Sequence, residues 1–370
     1  MRADVDVRPV AGRRDRATFR DLPARLHAGH DAFVPMLDAA LAAVLDRRRN
    51  PFWTHAEARE WIASVKGVPV GRIGACVDRD LLARAPGCGV VGFLDAPEDP
   101  AAARALFATA EAWLRERGCT RARGPLNYSI HDTAGVLVDG SDAPPTVDTT
   151  WNPPYVPRLW EENGWRGARD MLGAAGNLET GGPERARRFA ERVRRQGVSV
   201  RPLDFARFDA DVAAIREVYN AAWDANWGHV PVGAAEFAYK AKDLKAVLDP
   251  DLVRLAEQDG RVVGFFLGLP DLNPAIARSG GRLLPLGWWR LIRAKRTARR
   301  VRVLALGVVP GHRARGVEAL LLSDSFAAIG ARYPWCEASW VLEDNAAMMN
   351  GLALYSLYPY KRWRLYEKGL

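Results

Sequence analysis

The chain has 370 residues, enough for two domains of ordinary size, with 48% hydrophobic and 26% charged residues. It has no apolar run long enough for a transmembrane helix, and its amino-terminal residues lack the apolar core of a signal peptide, so a cytoplasmic protein is expected. The net charge of +9 suits an anionic partner, such as a nucleotide cofactor, nucleic acid or acidic lipid, without choosing among them.

The sequence reads as if written twice. Val5-Asp-Val-Arg-Pro-Val10 resembles Val198-Ser-Val-Arg-Pro-Leu203, and Gly67-Val-Pro-Val-Gly71 resembles Gly260-Arg-Val-Val-Gly264. Asn152-Pro-Pro-Tyr155 and Asn345-Ala-Ala-Met348 stand at the same offset. Three weak matches at one spacing favour an internal duplication. The expected division is a first domain over 1–177, a linker helix over 178–197 and a second domain over 198–370, with the break in 176–182.

In the second copy, 198–203 is a short strand, and 208–223 has apolar residues at helical spacing (Val212, Ile215, Val218, Tyr219, Ala222). Residues 251–269 read as two strands around Asp259-Gly260, a strong hairpin signal. A buried strand follows over 301–309, then a helix from near Arg315 to Tyr333, a strand over 337–342, a helix over 345–357 and a last strand over 361–367. This order predicts an α/β (α+β) protein of two tandem domains, each a mixed, mostly antiparallel sheet flanked by helices.

Chemistry concentrates where the 301–309 strand meets its helix. Helix N-termini leave main-chain N–H groups unpaired and carry partial positive charge. Such amides surround a diphosphate when no side chain blocks the approach. Gly316 lacks a side chain, Arg313 and Arg315 can pair with phosphate oxygens, and Pro310-Gly311 turns the chain out of the strand. The plainer alternative is a solvated basic turn.

Val308-Val309-Pro310 followed by Arg313-Ala314-Arg315-Gly316-Val317-Glu318 resembles the signature of the GNAT N-acetyltransferase superfamily: a strand ending in Val-x-Pro, then Arg/Gln-x-x-Gly-x-Gly/Ala and a helix. Glu318 departs from the small residue usual at the last position. Glu343-Asp344-Asn345 resembles the family's later segment. So does Asn152-Pro-Pro-Tyr155 of the first copy, and the resemblance, closest to tandem-GNAT proteins, covers most of the chain. It implies acetyl-CoA as cosubstrate, no metal, and direct transfer to the amine of a small-molecule or amino-acid-like acceptor. Residues 308, 309, 313–318 and Asn345 would hold the cofactor, with a main-chain N–H at Val308 or Val309 on the thioester oxygen. The Tyr that the family often places seven residues after the Asn is Leu352 here. Tyr355 and Tyr358 are candidate acids for the departing thiolate, and Glu343, just past a strand end, is a candidate base, as are Glu257 and Asp271, which flank the hairpin. For each, core packing or surface exposure is the plainer alternative.

Trp223, Asn226, Trp227 and His229 offer apolar walls with a few polar points, which suits an acceptor pocket; a packed loop anchored by its tryptophans is the equal alternative. In the first copy, Asp95, Glu98 and Asp99 stand where the phosphate loop belongs, so that copy is expected to have kept the fold and lost the cofactor. Asn127-Tyr128-Ser129-Ile130-His131-Asp132 is polar and follows a predicted strand. The four cysteines lack CxxC spacing and read as buried thiols.

The stretch 278–302 is basic and contains no acid, and it looks inserted. Peripheral membrane contact through 285–302 is one reading; a nucleic-acid patch, a gate over an anionic substrate, and a solvated helix whose Trp pair packs on the protein are the others, the last being slightly favoured and nucleic acid least expected as a partner. The rivals to a small-amine acetyltransferase are a catalytically silent acyl-CoA-binding protein and a transferase using an RNA- or lipid-linked acceptor.

Overall fold

The structure is a computed structural model that describes residues 5–178, 183–245, 247–313 and 315–370. Two compact units are present. The first comprises Met1–Met171, Ala275–Trp288 and Lys361–Leu370, and the second Leu172–Pro274 and Trp289–Tyr360.

In chain order the first half carries β1 (Val5–Pro9), α1 (Gly12–Leu26), α2 (Asp38–Leu45), β2 (Ala56–Val65), β3 (Val68–Asp78), α3 (Arg79–Arg84) and β4 (Cys88–Asp95). It continues with α4 (Pro100–Glu116), β5 (Arg121–Gly124), β6 (Val136–Asp139), α5 (Val156–Glu162) and β7 (Arg166–Asn177). Strands β1 to β4 pair antiparallel in order, and β5 joins β4 in parallel from Cys88↔Arg121 to Val90↔Arg123. Helix α4 buries Leu106, Phe107, Trp113 and Leu114 in the first core. Each such side chain contributes about 1.5–3 kcal/mol by leaving water. Trp160 meets the Phe107 ring edge-on at 5.0 Å and stacks on Tyr366 at 5.6 Å.

Next come α6 (Glu184–Arg194), β8 (Ser199–Pro202), α7 (Phe208–Trp223), α8 (Ala234–Lys245), β9 (Val253–Gln258) and β10 (Arg261–Pro270). The chain ends with α9 (Asn273–Arg278), α10 (Gly287–Thr297), β11 (Arg300–Val308), α11 (Pro310–Arg313), α12 (Val317–Ile329), β12 (Trp335–Leu342), α13 (Ala346–Ala353) and β13 (Tyr358–Gly369). The pairing pattern repeats. Strands β8 to β11 are antiparallel in order, and β12 joins β11 in parallel. Positive φ at both Asp259 (50°) and Gly260 (74°) makes the two-residue turn between β9 and β10, and Lys66 (51°) and Gly67 (77°) do the same between β2 and β3.

The second core lies between α12 and one face of its sheet. Leu320, Leu321, Phe326 and Ile329 pack with Val263, Phe266, Val301, Val303, Cys336 and Ala338, and α6 adds Ala186, Ala190 and Val193. All four cysteines are buried free thiols. Of the expected break, residues 179–182 lie outside the described residues. Where the first copy passes from β3 to β4 through α3 alone, the second passes from β10 to β11 through both α9 and α10.

Candidate functional site

The end of β11 is the centre of the site. Val309 N–H donates to Val263 O at 3.0 Å, and Val308 stands opposite Gly264. In an antiparallel pair hydrogen-bonded and non-hydrogen-bonded positions alternate, so both main-chain groups of Val308 face away from β10. On that side β12 pairs with β11 only from Arg300↔Trp335 to Val303↔Ala338. The strands run on to Val308 and Leu342 without further ladder pairs. They part, and the Val308 N–H is turned toward the parting.

The turn beyond is held by Arg313. Its guanidinium donates to Val308 O at 3.2 Å and to Ala222 O, tying the end of β11 to the end of α7. Arg315 is exposed, and Ala314 lies outside the described residues. Gly316 is the N-cap of α12 with φ 80°, and no side chain caps this helix. Val317 is fully buried. Burial pushes the Glu318 carboxyl above its ordinary value, while its own main-chain N–H and Arg313 pull it back.

Gly316 is fixed by its backbone, and its missing side chain also leaves room for the ring of the exposed Phe189. Its φ is left-handed, and an added Cβ would stand 2.2 Å from Cε1 of Phe189 on α6. Gly316→Ala is therefore expected to cost about 1–3 kcal/mol in urea unfolding. Phe189→Ala should relieve the steric part of that cost and leave the backbone part. Equal stability of the glycine and alanine proteins would show that neither constraint holds.

The predicted acceptor residues lie at the end of α7. Trp223 stacks on Tyr219 at 4.7 Å, lies 5.9 Å from Phe265, and covers Gly307, where an added Cβ would meet Trp223 Cζ3 at 2.4 Å. Asn226 N–H donates to Trp223 O at 2.8 Å, and its carbonyl accepts from the His229 amide at 3.1 Å. His229 is buried, with its ring 5.7 Å from Tyr219. Trp227 is half-buried in the same loop. Trp223 and Arg313 are thus brought to one place, at Gly307 and Val308.

The remaining candidates are more scattered. Asn345 caps α13, accepting from Met348 N–H at 3.1 Å. Glu343 is exposed beyond the end of β12, and Tyr358 is exposed at the start of β13. Tyr355 is in the core, edge-on to Phe326 at 4.9 Å, where burial pushes its hydroxyl up. Leu352 is core as well. Glu257 accepts from Arg201 at 2.8 Å, and Asp271 accepts the Asn273 amide at 3.2 Å and faces Arg300 at 3.5 Å.

A buried polar cluster escapes the sequence reading. Arg302 and Glu337 are register partners across β11 and β12, and both are fully buried. Arg302 donates to Ser339 Oγ at 3.0 Å and to Ser339 O at 2.9 Å. Ser339 Oγ–H donates to Glu337 at 2.6 Å, and the Tyr360 hydroxyl donates to the other Glu337 oxygen. Burial first, then the Glu337 charge, pushes the Tyr360 hydroxyl far above its ordinary value. Val301, Val303, Cys336 and Ala338 join the α12 core, so these alternating polar side chains occupy the opposite face of the sheet. The alternation in Arg300-Val-Arg-Val303 and Cys336-Glu-Ala-Ser339 is the signal that marked this face.

The corresponding corner of the first unit is closed by its own groups. Asp99 caps α4, accepting from Ala101 N–H at 3.0 Å. Burial alone would raise the Asp95 carboxyl, but Arg72 and His27 hold it below its ordinary value. Glu98 pairs with Arg158 at 2.9 Å. Beyond the β4–β5 ladder the chain is stitched back: Leu126 N–H donates to Val91 O at 3.0 Å, and Phe93 N–H donates to Asn127 Oδ1 at 2.8 Å. Among the described residues His55, Asp78 and Asp80 have metal-type donors within 4.8 Å of one another. There Asp78 already accepts from the Asp80 amide at 2.9 Å and meets His55 at 2.8 Å.

No family model matches the sequence. The chain is 38% identical over 381 residues to the Caulobacter vibrioides protein named bacterial ceramide synthase, covering 100% of this chain and 98% of the relative. It is 33% identical over 376 residues to protein YghO of Escherichia coli, covering 98% and 95%. Among solved structures, a tandem GNAT protein from the clavulanic acid biosynthesis pathway matches with TM-score 0.59 at 14% identity, over 99% of this chain and 98% of that one. A GCN5-related N-acetyltransferase from Sphaerobacter thermophilus matches with TM-score 0.55 at 16% identity, over 99% and 95%.

Proposed function

Because the chain belongs to the family of the Caulobacter vibrioides protein named bacterial ceramide synthase and has the fold of tandem GNAT proteins, we propose that it is an N-acyltransferase that moves a fatty acyl group from an acyl-CoA to the amine of a long-chain amino alcohol. The observation that carries this reading is the end-to-end identity with the Caulobacter protein named for ceramide synthesis. A ceramide is the amide of a fatty acid and such an amine, so that name describes acyl transfer to nitrogen. This reading replaces the acetyl donor and the small-molecule or amino-acid-like acceptor implied by the resemblance with longer chains on both sides.

The residues suit the chemistry. The amine lone pair attacks the thioester carbon, the C–S bond breaks, and the nitrogen proton leaves while the thiolate takes one up. The Val308 N–H, turned toward the strand parting, supports a role as donor to the carbonyl oxygen as it gains charge. The N-terminus of α12, where Gly316 has no side chain to cap it, suits the diphosphate of CoA once the Glu318 carboxyl gives up its own main-chain N–H. Trp223, Tyr219 and Phe265 form an aromatic wall beside Gly307 that suits hydrocarbon better than a polar amine.

The test supplies the purified full chain with palmitoyl-CoA or acetyl-CoA, each with sphinganine or with a panel of small polar amines, and follows free thiol release and amide product. Palmitoyl-CoA with sphinganine is expected to exceed every other pairing by at least about tenfold in kcat/KM. Preference for acetyl-CoA with a small amine would restore the expectation from the motif. Tight CoA binding without turnover in any pairing would identify a silent module.

A further inference from the structure

We propose that helix α10 and the turn before it form a docking surface for an anionic lipid bilayer. The surface is defined by exposed side chains and charge, and it stands whether or not the acceptor of the reaction is a lipid.

The apolar part is large and outward. Leu284 is 77% exposed, Leu286 58%, Trp288 49%, Trp289 50% and Ile292 49%. Five large apolar side chains within nine residues are therefore left in water by the fold. A buried helix would turn such residues inward; here Leu291, Ala294 and Ala298 are the half-buried side. At 100° per residue Trp288, Ile292 and Trp289 fall on one arc of the helix, with Arg296 and Arg293 on the same arc. Arg293, Arg296 and Arg299 are exposed, and the Arg293 guanidinium lies 5.7 Å from the Trp289 ring centre.

The charge is of one sign. No Asp or Glu occurs between Asp271 and Glu318; Arg282 at the near end faces Asp21 at 3.9 Å, and the exposed Arg293, Arg296 and Arg299 carry the charge of the surface. A surface built to remain in water would mix signs and avoid paired tryptophans. Trp and Arg together have a common destination, the headgroup layer of a membrane, where the ring sits at the boundary and the guanidinium meets phosphate. The helix has 11 residues and no helix of the described residues is long and apolar enough to cross a membrane, so the contact is with one face of the bilayer. A nucleic acid would also attract the arginines, but it offers nothing to Leu284, Leu286 and Ile292. The first copy of the fold has no counterpart, since only α3 stands between β3 and β4.

The experiment is cosedimentation of the full chain with vesicles of equal parts phosphatidylglycerol and phosphatidylcholine, and with vesicles of phosphatidylcholine alone. Binding is expected to the anionic vesicles and to weaken as salt rises. Arg293→Gln with Arg296→Gln should weaken it by about 30-fold, from the usual contribution of a basic residue near an anionic surface. Trp288→Ala with Trp289→Ala should weaken it by at least about tenfold and should also remove a blue shift of tryptophan emission on binding. Because these side chains are exposed, thermal unfolding of both variants should match the parent, so lost binding cannot be mistaken for lost folding. Parent-like vesicle binding by both variants, equal binding to neutral vesicles, or tighter binding to a single-stranded RNA oligomer than to anionic vesicles would each overturn the proposal.

Discussion

Glu337→Ala is expected to lower the unfolding free energy by about 3–5 kcal/mol, read from the urea midpoint of the full chain. Glu337 accepts from the Ser339 and Tyr360 hydroxyls, and Arg302, fully buried, leans on the same serine. Taking the carboxylate away removes the acceptor of the Ser339 and Tyr360 hydroxyls and the negative charge on the strand position beside the fully buried Arg302. Arg302 is fully buried and cannot reach water without disturbing the sheet, which is why one truncation costs so much more than a surface pair would. Glu337→Gln keeps an oxygen for one hydroxyl and should recover part of the loss. An alanine variant that unfolds at the parent's urea concentration would mean that water already enters the cluster.

Val308→Pro is expected to reduce kcat by about 100- to 1,000-fold while leaving the protein folded, the usual cost of deleting one donor to a developing oxyanion. The substitution removes a single N–H. At this position the strand behaves as an edge, because β12 has already parted, and proline is tolerated where the lost donor is outside the ladder. Val309→Pro is the matching control. Its N–H donates to Val263 O at 3.0 Å, so its loss should appear as instability. A folded Val308→Pro protein that turns over at the parental rate would remove the main-chain donor from the reaction.

Local features were the legible ones. Asp259-Gly260 announced its hairpin because the left-handed turn demands those residues, and the apolar spacing of 208–223 marked the helix with the observed bounds. The helix expected near Arg315 starts at Val317, since Gly316 takes a left-handed φ that a helix cannot include. Legibility failed where partners are distant in sequence. Nothing near Gly316 announces Phe189, and nothing near Glu337 announces Tyr360. The acids at 95, 98 and 99 could be read as hostile to an anion, but their partners Arg72, His27 and Arg158 could be found only in three dimensions. Asn127, in a segment that read only as polar, joins Phe93 and Thr133 and closes the first unit's corner. The parting of β11 from β12 has no sequence mark, because it is a property of where pairing stops.

The sealed corner of the first unit has a consequence for what duplication achieved. Its helix start is occupied by Asp99, and its strand gap is sewn by Leu126 and Asn127. A second cofactor could enter only by breaking those bonds and displacing a carboxylate of its own sign. On the proposed function, copying the fold therefore did not double the catalytic capacity: the second half carries the reaction, and these bonds leave the first as framework.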